Sequence, residues 1–208
     1  MNKVDSIGFD LDGTLWDSLK AVSESWKVAV RDIPDVPSAP TDHEITGVMG
    51  LPPKGIATTL FPYLSEQRAM EVFAICTKVE IEYVQKVGGR LFEGLEETLE
   101  YLSLRYPLYI VSNCQKGYIE AFLSYHKLGK YFVDKEDAEN TGLSKGKNIR
   151  LVMERQGFKN TVYVGDTAGD QKAAKEAGVP FIFAAYGFGK AENPERTIDS
   201  IVELKKLF

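Results

Sequence analysis

Four short apolar runs constrain this chain more than any other feature: SIGFD ending at Asp10, LYIVSN ending at Asn113, TVYVGD ending at Asp166 and PFIFAAY ending at Tyr186. A weaker one lies at 131–134. Each is continuously hydrophobic rather than alternating, the pattern of a strand buried on both faces, as in a parallel sheet. Between them lie stretches with helical spacing. Leu95, Thr98, Leu99, Leu102 and Tyr106 form one; Ile149, Val152, Met153 and Gln156 form another. A third, over 171–177, stops at Gly178, a helix terminator. Strand–helix–strand alternation predicts an α/β fold, a doubly wound, mostly parallel sheet with helices on both sides.

One region breaks the rhythm. From 16 to 87 no strand pattern emerges, only two helical stripes: Leu19, Val22, Trp26, Val30 and Ile33, then Met70, Phe73, Thr77, Ile81 and Val84. Between them, PDVPSAPTD and ITGVMGLPPKG read as Pro/Gly-rich loops. The expected organisation is an α/β core of 1–15 and 88–208 with an all-helical domain, 16–87, inserted after the first strand. Trp16 and Trp26 are read as packing residues. The tail TIDSIVELKKLF reads as an amphipathic helix closing the core, with Gly187 and Gly189 marking a loop before it.

Composition narrows the class. The 208 residues, 44% hydrophobic and 26% charged, suit one sizeable globular domain or a core plus a modest insertion. A formal charge of −5 argues against nucleic acid as the main partner. Cys76 and Cys114 have neither metal nor redox spacing, which fits a reducing compartment. The opening MNKVDSIGFD carries no apolar leader run, and no segment approaches membrane-spanning length. A cytoplasmic protein with no membrane partner is expected.

In open α/β sheets ligands bind beyond the carboxyl ends of the strands. Polar residues gather there: Asp10, Asp12 and Thr14 from the end of SIGFD onward, Ser112 and Asn113 at the end of LYIVSN, Asp166, Thr167 and Asp170 from the end of TVYVGD onward. Singly, each has an ordinary explanation as a turn residue or helix cap. Together, four acids at the ends of two strands able to lie side by side exceed what turns and caps require. Such a cluster is costly without a cation between its members, and hard carboxylate oxygens suit Mg²⁺.

DLDGTLWDS, VSN, the lysine of GLSKGK and GDTAGD, in that order, resemble the four motifs of the haloacid dehalogenase superfamily, and the resemblance covers essentially the whole chain. The helical insertion resembles that superfamily's helical (C1-type) cap, and NIRLVMERQGFKNTVYVGDTAGDQKAAKEAGVPFI looks like its phosphoglycolate-phosphatase-like branch. The resemblance implies a Mg²⁺-dependent phosphatase acting on a small phosphorylated metabolite. Asp10 would be the nucleophile that becomes an aspartyl phosphate, and Asp12 the general acid and base. Mg²⁺ would bind an oxygen of Asp10, the backbone carbonyl of Asp12, and Asp166, with Asp170 ligating directly or holding a water of the ion. Thr14, Ser112 and the Asn113 backbone N–H would cradle the phosphoryl oxygens. A lysine would balance the remaining charge. The family generally has Lys-Pro there, whereas this chain reads Lys145-Gly146-Lys147. Lys145 is preferred, because Gly146 then stands where the proline would; Lys147 is the alternative.

Asp12 favours phosphoryl transfer over dehalogenation, since the superfamily's dehalogenases lack an acid at that position. Thr14 favours a phosphatase over a phosphomutase, and a non-catalytic phosphate-binding protein would not need the nucleophile. A loop at 47–55 is expected to reach the site, with Lys54 either contacting substrate or standing solvated at a helix start. The natural substrate, and whether the protein is a monomer or a homodimer, are left open by the sequence.

Overall fold

The computed structural model describes residues 4–208, so the first three residues of the expected core segment 1–15 lie outside the described residues. Strand β1 (Ser6–Phe9) is buried at every position. A tight turn leads to β2 (Trp16–Asp17) and into four helices: α1 (Leu19–Val30), α2 (Asp42–Val48), α3 (Pro53–Leu60) and α4 (Glu66–Val87). β3 (Arg90–Leu91) then pairs antiparallel with β2, bringing the two ends of the insertion together. From there strands and helices alternate: α5 (Leu95–Ser103), β4 (Leu108–Ser112), α6 (Tyr118–His126), β5 (Phe132–Asp137), the short α7 (Ala138–Thr141), α8 (Lys145–Gln156), β6 (Thr161–Gly165), α9 (Ala168–Ala177), β7 (Phe181–Ala184), β8 (Arg196–Ile198) and α10 (Leu204–Leu207).

The main sheet has the order β5-β4-β1-β6-β7-β8, and every pairing in it is parallel. Strand side chains alternate between faces. Ile7, Phe9, Leu108, Ile110, Val162 and Val164 join Leu95, Leu99 and Phe122 on one side, while Tyr109, Val111 and Tyr163 meet Ile149, Val152 and Ala174 on the other. Burial on both faces is why the strands read as unbroken apolar runs. The insertion has its own cluster, in which Trp26 stacks on Phe61 (centroids 6.2 Å apart) and meets Phe73 edge-on. Trp16 belongs instead to the sheet core, with its ring centroid 4.9 Å from that of Phe122. Both tryptophans therefore pack. No helix among the described residues is long and apolar enough to cross a membrane.

The structure differs from the sequence reading in four places. The 16–87 segment does contain a strand, the two-residue β2, too short to show a period. The stretch read as loop after PDVPSAPTD forms α2 and α3. Thr41 and Glu44 make a reciprocal capping box that starts α2, and Pro53 occupies the first turn of α3, where its missing N–H costs nothing. β5 runs to Asp137, three residues past the expected 134, because Arg155 neutralises its acids, reaching Asp134 at 2.7 Å and Glu136 at 2.9 Å. The tail is not one helix. Thr197 and Ile198 extend the sheet edge as part of β8, and Ser200 caps a fresh helical turn through the Val202 N–H. Ile198, Ile201 and Leu204 are buried there all the same.

Candidate active site

Strands β4, β1 and β6 are neighbours, so their carboxyl ends bring Ser112, Asp10 and Asp166 to one place. The Asp10 N–H continues the ladder by donating to the Val164 carbonyl (2.8 Å), which holds the residue at the sheet edge although β1 has ended. The turn that follows needs Gly13 for two reasons. Its φ is +76°, and a Cβ there would stand 2.1 Å from Asp166 Oδ2. Lys145 opens α8, whose N-cap Ser144 accepts from the Lys147 N–H. Its ammonium is buried and donates to Asp10 Oδ1 (2.8 Å) and Asp170 Oδ1 (2.6 Å). Lys147, two residues further along the helix, is exposed. The glycine between them is a packing requirement, since a Cβ at Gly146 would lie 2.8 Å from the Ala173 carbonyl and 2.5 Å from Glu176 Oε2. α8 and α9 approach too closely there for the family's usual proline.

Each carboxylate is held by a different neighbour. Asp166 accepts from the Phe188 N–H (2.7 Å) and from the Thr14 hydroxyl (3.3 Å). Asp170 is divided: Oδ2 accepts from the Thr167 N–H (2.9 Å) and hydroxyl (2.6 Å) as part of a capping box, while Oδ1 faces Lys145. The helix-cap and charge-cluster readings of this residue both hold. Asp10, Asp166 and Asp170 each offer an oxygen within 4.8 Å of the others, all three buried. Asp12 lies outside that trio. Its Oδ1 accepts from the Trp16 indole N–H (3.0 Å) and the Tyr118 hydroxyl (3.1 Å).

The electrostatics are those of an acid cluster short of positive charge. Burial pushes Asp10 well above the usual carboxylate range, with Asp170 adding to the rise and Lys145 opposing it. Burial likewise raises Asp12, and it lifts Asp166 to about 7 with help from Asp170. Burial works against the Lys145 charge, but Asp10 and Asp170 outweigh it and keep the lysine protonated. Four carboxylates face one ammonium, so three negative charges stay uncompensated if all ionise. A divalent cation with oxygen ligands fits this donor set.

The cavity above the cluster is lined by Asp10, Asp12, Ser112, Asn113 and Tyr118 from the sheet side and by Trp26, Phe73 and Glu80 from α1 and α4. Thr14 is fully buried and turned to Asp166, so its hydroxyl serves that carboxylate rather than the open side where the sequence reading had it cradle phosphoryl oxygens. The Asn113 side chain donates to the Gly50 carbonyl (2.9 Å), so the 47–55 segment does reach the site. It does so through the turn between α2 and α3. Lys54 stands in the first turn of α3, mostly exposed and paired with Glu66 at 2.9 Å.

Three contributors were not singled out from the sequence. Glu80 is buried and accepts from Gln115 Nε2 (2.9 Å) and from the Trp26 indole N–H. Its pKa is pushed up to about 7 by burial. Tyr118 anchors Asp12, and the Phe188 amide anchors Asp166. Glu80 is one acid among many on a helix, and a backbone amide leaves no residue-type signal. Gly187 and Gly189, flanking Phe188, mark only a loop in the sequence.

The family profile described as haloacid dehalogenase-like hydrolase matches residues 7–184. A phosphoglycolate phosphatase of Vibrio vulnificus is 28% identical over 95% of this chain and 93% of its own length, and that of Escherichia coli K12 is 27% identical over 92% and 86%. A haloacid dehalogenase-like hydrolase of known structure from Streptococcus pneumoniae superposes with a TM-score of 0.86 over the whole of both chains, at 24% identity. The chain therefore belongs to the haloacid dehalogenase-like hydrolases and is phosphoglycolate-phosphatase-like among them.

Proposed function

We propose that the protein is a Mg²⁺-dependent phosphatase that hydrolyses a small-molecule phosphate monoester through an aspartyl phosphate on Asp10. The observation that carries this reading is the buried Lys145 ammonium, held between Asp10 and Asp170 and beside Asp166, with Asp12 on the wall of the same cavity. Asp10, Asp166 and Asp170 through their carboxylates, and Asp12 through its carbonyl, would hold the Mg²⁺. When bound, the ion supplies positive charge to the phosphoryl oxygens and to Asp10.

Each of the chain's residues then has one task. Asp10 attacks phosphorus as the bond to the leaving oxygen breaks. Asp12, which burial makes a weaker acid than an ordinary carboxyl, gives its proton to the leaving alcohol. Once the alcohol has gone, ionised Asp12 takes a proton from a water that attacks phosphorus, and the bond to Asp10 breaks. Trp16 and Tyr118 keep the Asp12 carboxyl in one orientation through both halves. Ser112 and the Asn113 backbone N–H serve the phosphoryl oxygens, while Lys145 holds Asp10 in line. Thr14 orients Asp166. The 16–87 segment acts as a cap over the core of 1–15 and 88–208, excluding bulk water while admitting the one that attacks, and enclosing the leaving group.

Phosphate release from p-nitrophenyl phosphate tests this. Release that requires Mg²⁺ and disappears in Asp10→Asn supports the reading. Release that persists in Asp10→Asn, or its absence in the wild type, contradicts it.

A further inference from the structure

Among the described residues, the cavity beside Asp12 is walled by three acids and by no lysine, arginine or histidine. Asp10 and Asp12 come from the core and Glu80 from α4. The rest of the wall includes Trp26, Phe73, Met49 and Leu51. Glu80 is only 6% exposed. Its Oε1 accepts from Gln115 and its Oε2 from Trp26, which leaves each oxygen free to accept once more. Lys54, Lys145 and Lys172 line the adjoining depression, which shares Gly50, Leu51, Phe73, Thr77, Asn113 and Gln115 with this cavity but is bordered by neither Asp10 nor Asp12. A phosphate ester must place its leaving oxygen at Asp12, so its alcohol portion lies on the Glu80 side.

We infer that Glu80 determines specificity, selecting a leaving group that carries a hydrogen-bond donor, a hydroxyl or an ammonium, and rejecting one that carries a carboxylate. This rests on the phosphatase reading above. A donor-bearing alcohol satisfies the spare acceptor positions of a buried carboxylate, which are otherwise costly to leave unpaired. A carboxylate would be desolvated next to Glu80, an acid of the same sign, on a wall that offers it no cationic side chain among the described residues, and like charges brought together at a dry surface are strongly disfavoured. The consequence separates this chain from the relatives it resembles, because glycolate carries such a carboxylate.

A matched two-carbon series tests it with Mg²⁺ present at about pH 8.5, where Glu80, near 7, is ionised: 2-hydroxyethyl phosphate, O-phosphoethanolamine and 2-phosphoglycolate, with p-nitrophenyl phosphate as reference. In the wild type, kcat/KM for the first two exceeds that for 2-phosphoglycolate by at least about tenfold, and Glu80→Gln narrows that ratio by about tenfold. Glutamine keeps an acceptor for Trp26, and a ratio between substrates does not move when a variant merely loses stability. Equal or faster turnover of 2-phosphoglycolate by the wild type overturns the inference, as does an unchanged ratio in folded Glu80→Gln. The wild-type series decides by itself if the variant does not fold. Turnover of p-nitrophenyl phosphate with the wrong order in the series removes only the role of Glu80. Failure on all four esters removes the phosphatase reading, and this inference with it.

Discussion

Raising the pH from about 6 to about 8 in the presence of a chelator should lower the melting temperature of this protein. Asp166 and Glu80 both lie near 7 in the folded chain, against ordinary values of 3.8 and 4.5. Because the folded value is the higher, the native state binds more protons than the unfolded chain between those limits, and stability falls as pH rises. Both side chains are almost fully buried, so solvent screening discounts little of the effect. Over the two units centred on 7, each acid contributes about 1.4 kcal/mol and the pair about 3 kcal/mol. For a chain of this size that is on the order of 6–12 °C. Asp10 and Asp12, also raised, act in the same direction. His126, which burial holds below 6.5, opposes them only at the acid end. Differential scanning fluorimetry across that range is the assay. Saturating Mg²⁺ should remove the Asp166 share, and Glu80→Gln in chelator should remove the other. A melting temperature that is flat or rises from about pH 6 to about pH 8 without metal would refute the reasoning.

Lys145→Ala should lower kcat/KM by about 10²–10³-fold, the scale of losing one fixed donor at a developing charge, while Lys147→Ala stays within about twofold in the same assay. Thr14→Val, which strips one of the two donors holding Asp166, should weaken Mg²⁺ by about tenfold, read from the metal dependence of p-nitrophenyl phosphate turnover. Gly146→Ala should cost about 1–3 kcal/mol in urea unfolding, because its Cβ meets the Ala173 carbonyl, which cannot swing aside.

The apolar runs ending at Asp10, Asn113 and Asp166 were legible because a strand buried on both faces leaves no alternation to confuse with a helix, and their ends are where this fold places ligands. Lys145 was legible only as one of two lysines. Its burial depends on α8 beginning at that residue, and the sequence around it does not reveal which way the side chain turns. Spacing gives the nearness of Thr14 to Asp166 but not the rotamer that bonds it. Glu80 stayed hidden, since its meaning comes from Gln115, thirty-five residues away along the chain and 2.9 Å away in space. The tail misled because Ile198, Ile201 and Leu204 are spaced as a helix face while Thr197 and Ile198 complete a sheet edge.

Chemical trapping of the acyl phosphate examines the central claim most directly. The enzyme is mixed with substrate and Mg²⁺, quenched in acid, reduced with borohydride and mapped by peptide mass spectrometry. The account predicts homoserine at position 10, formed only when substrate and Mg²⁺ were both present and absent from Asp10→Asn. Reduction at another carboxylate, or substrate turnover with no reducible residue at position 10, would contradict it.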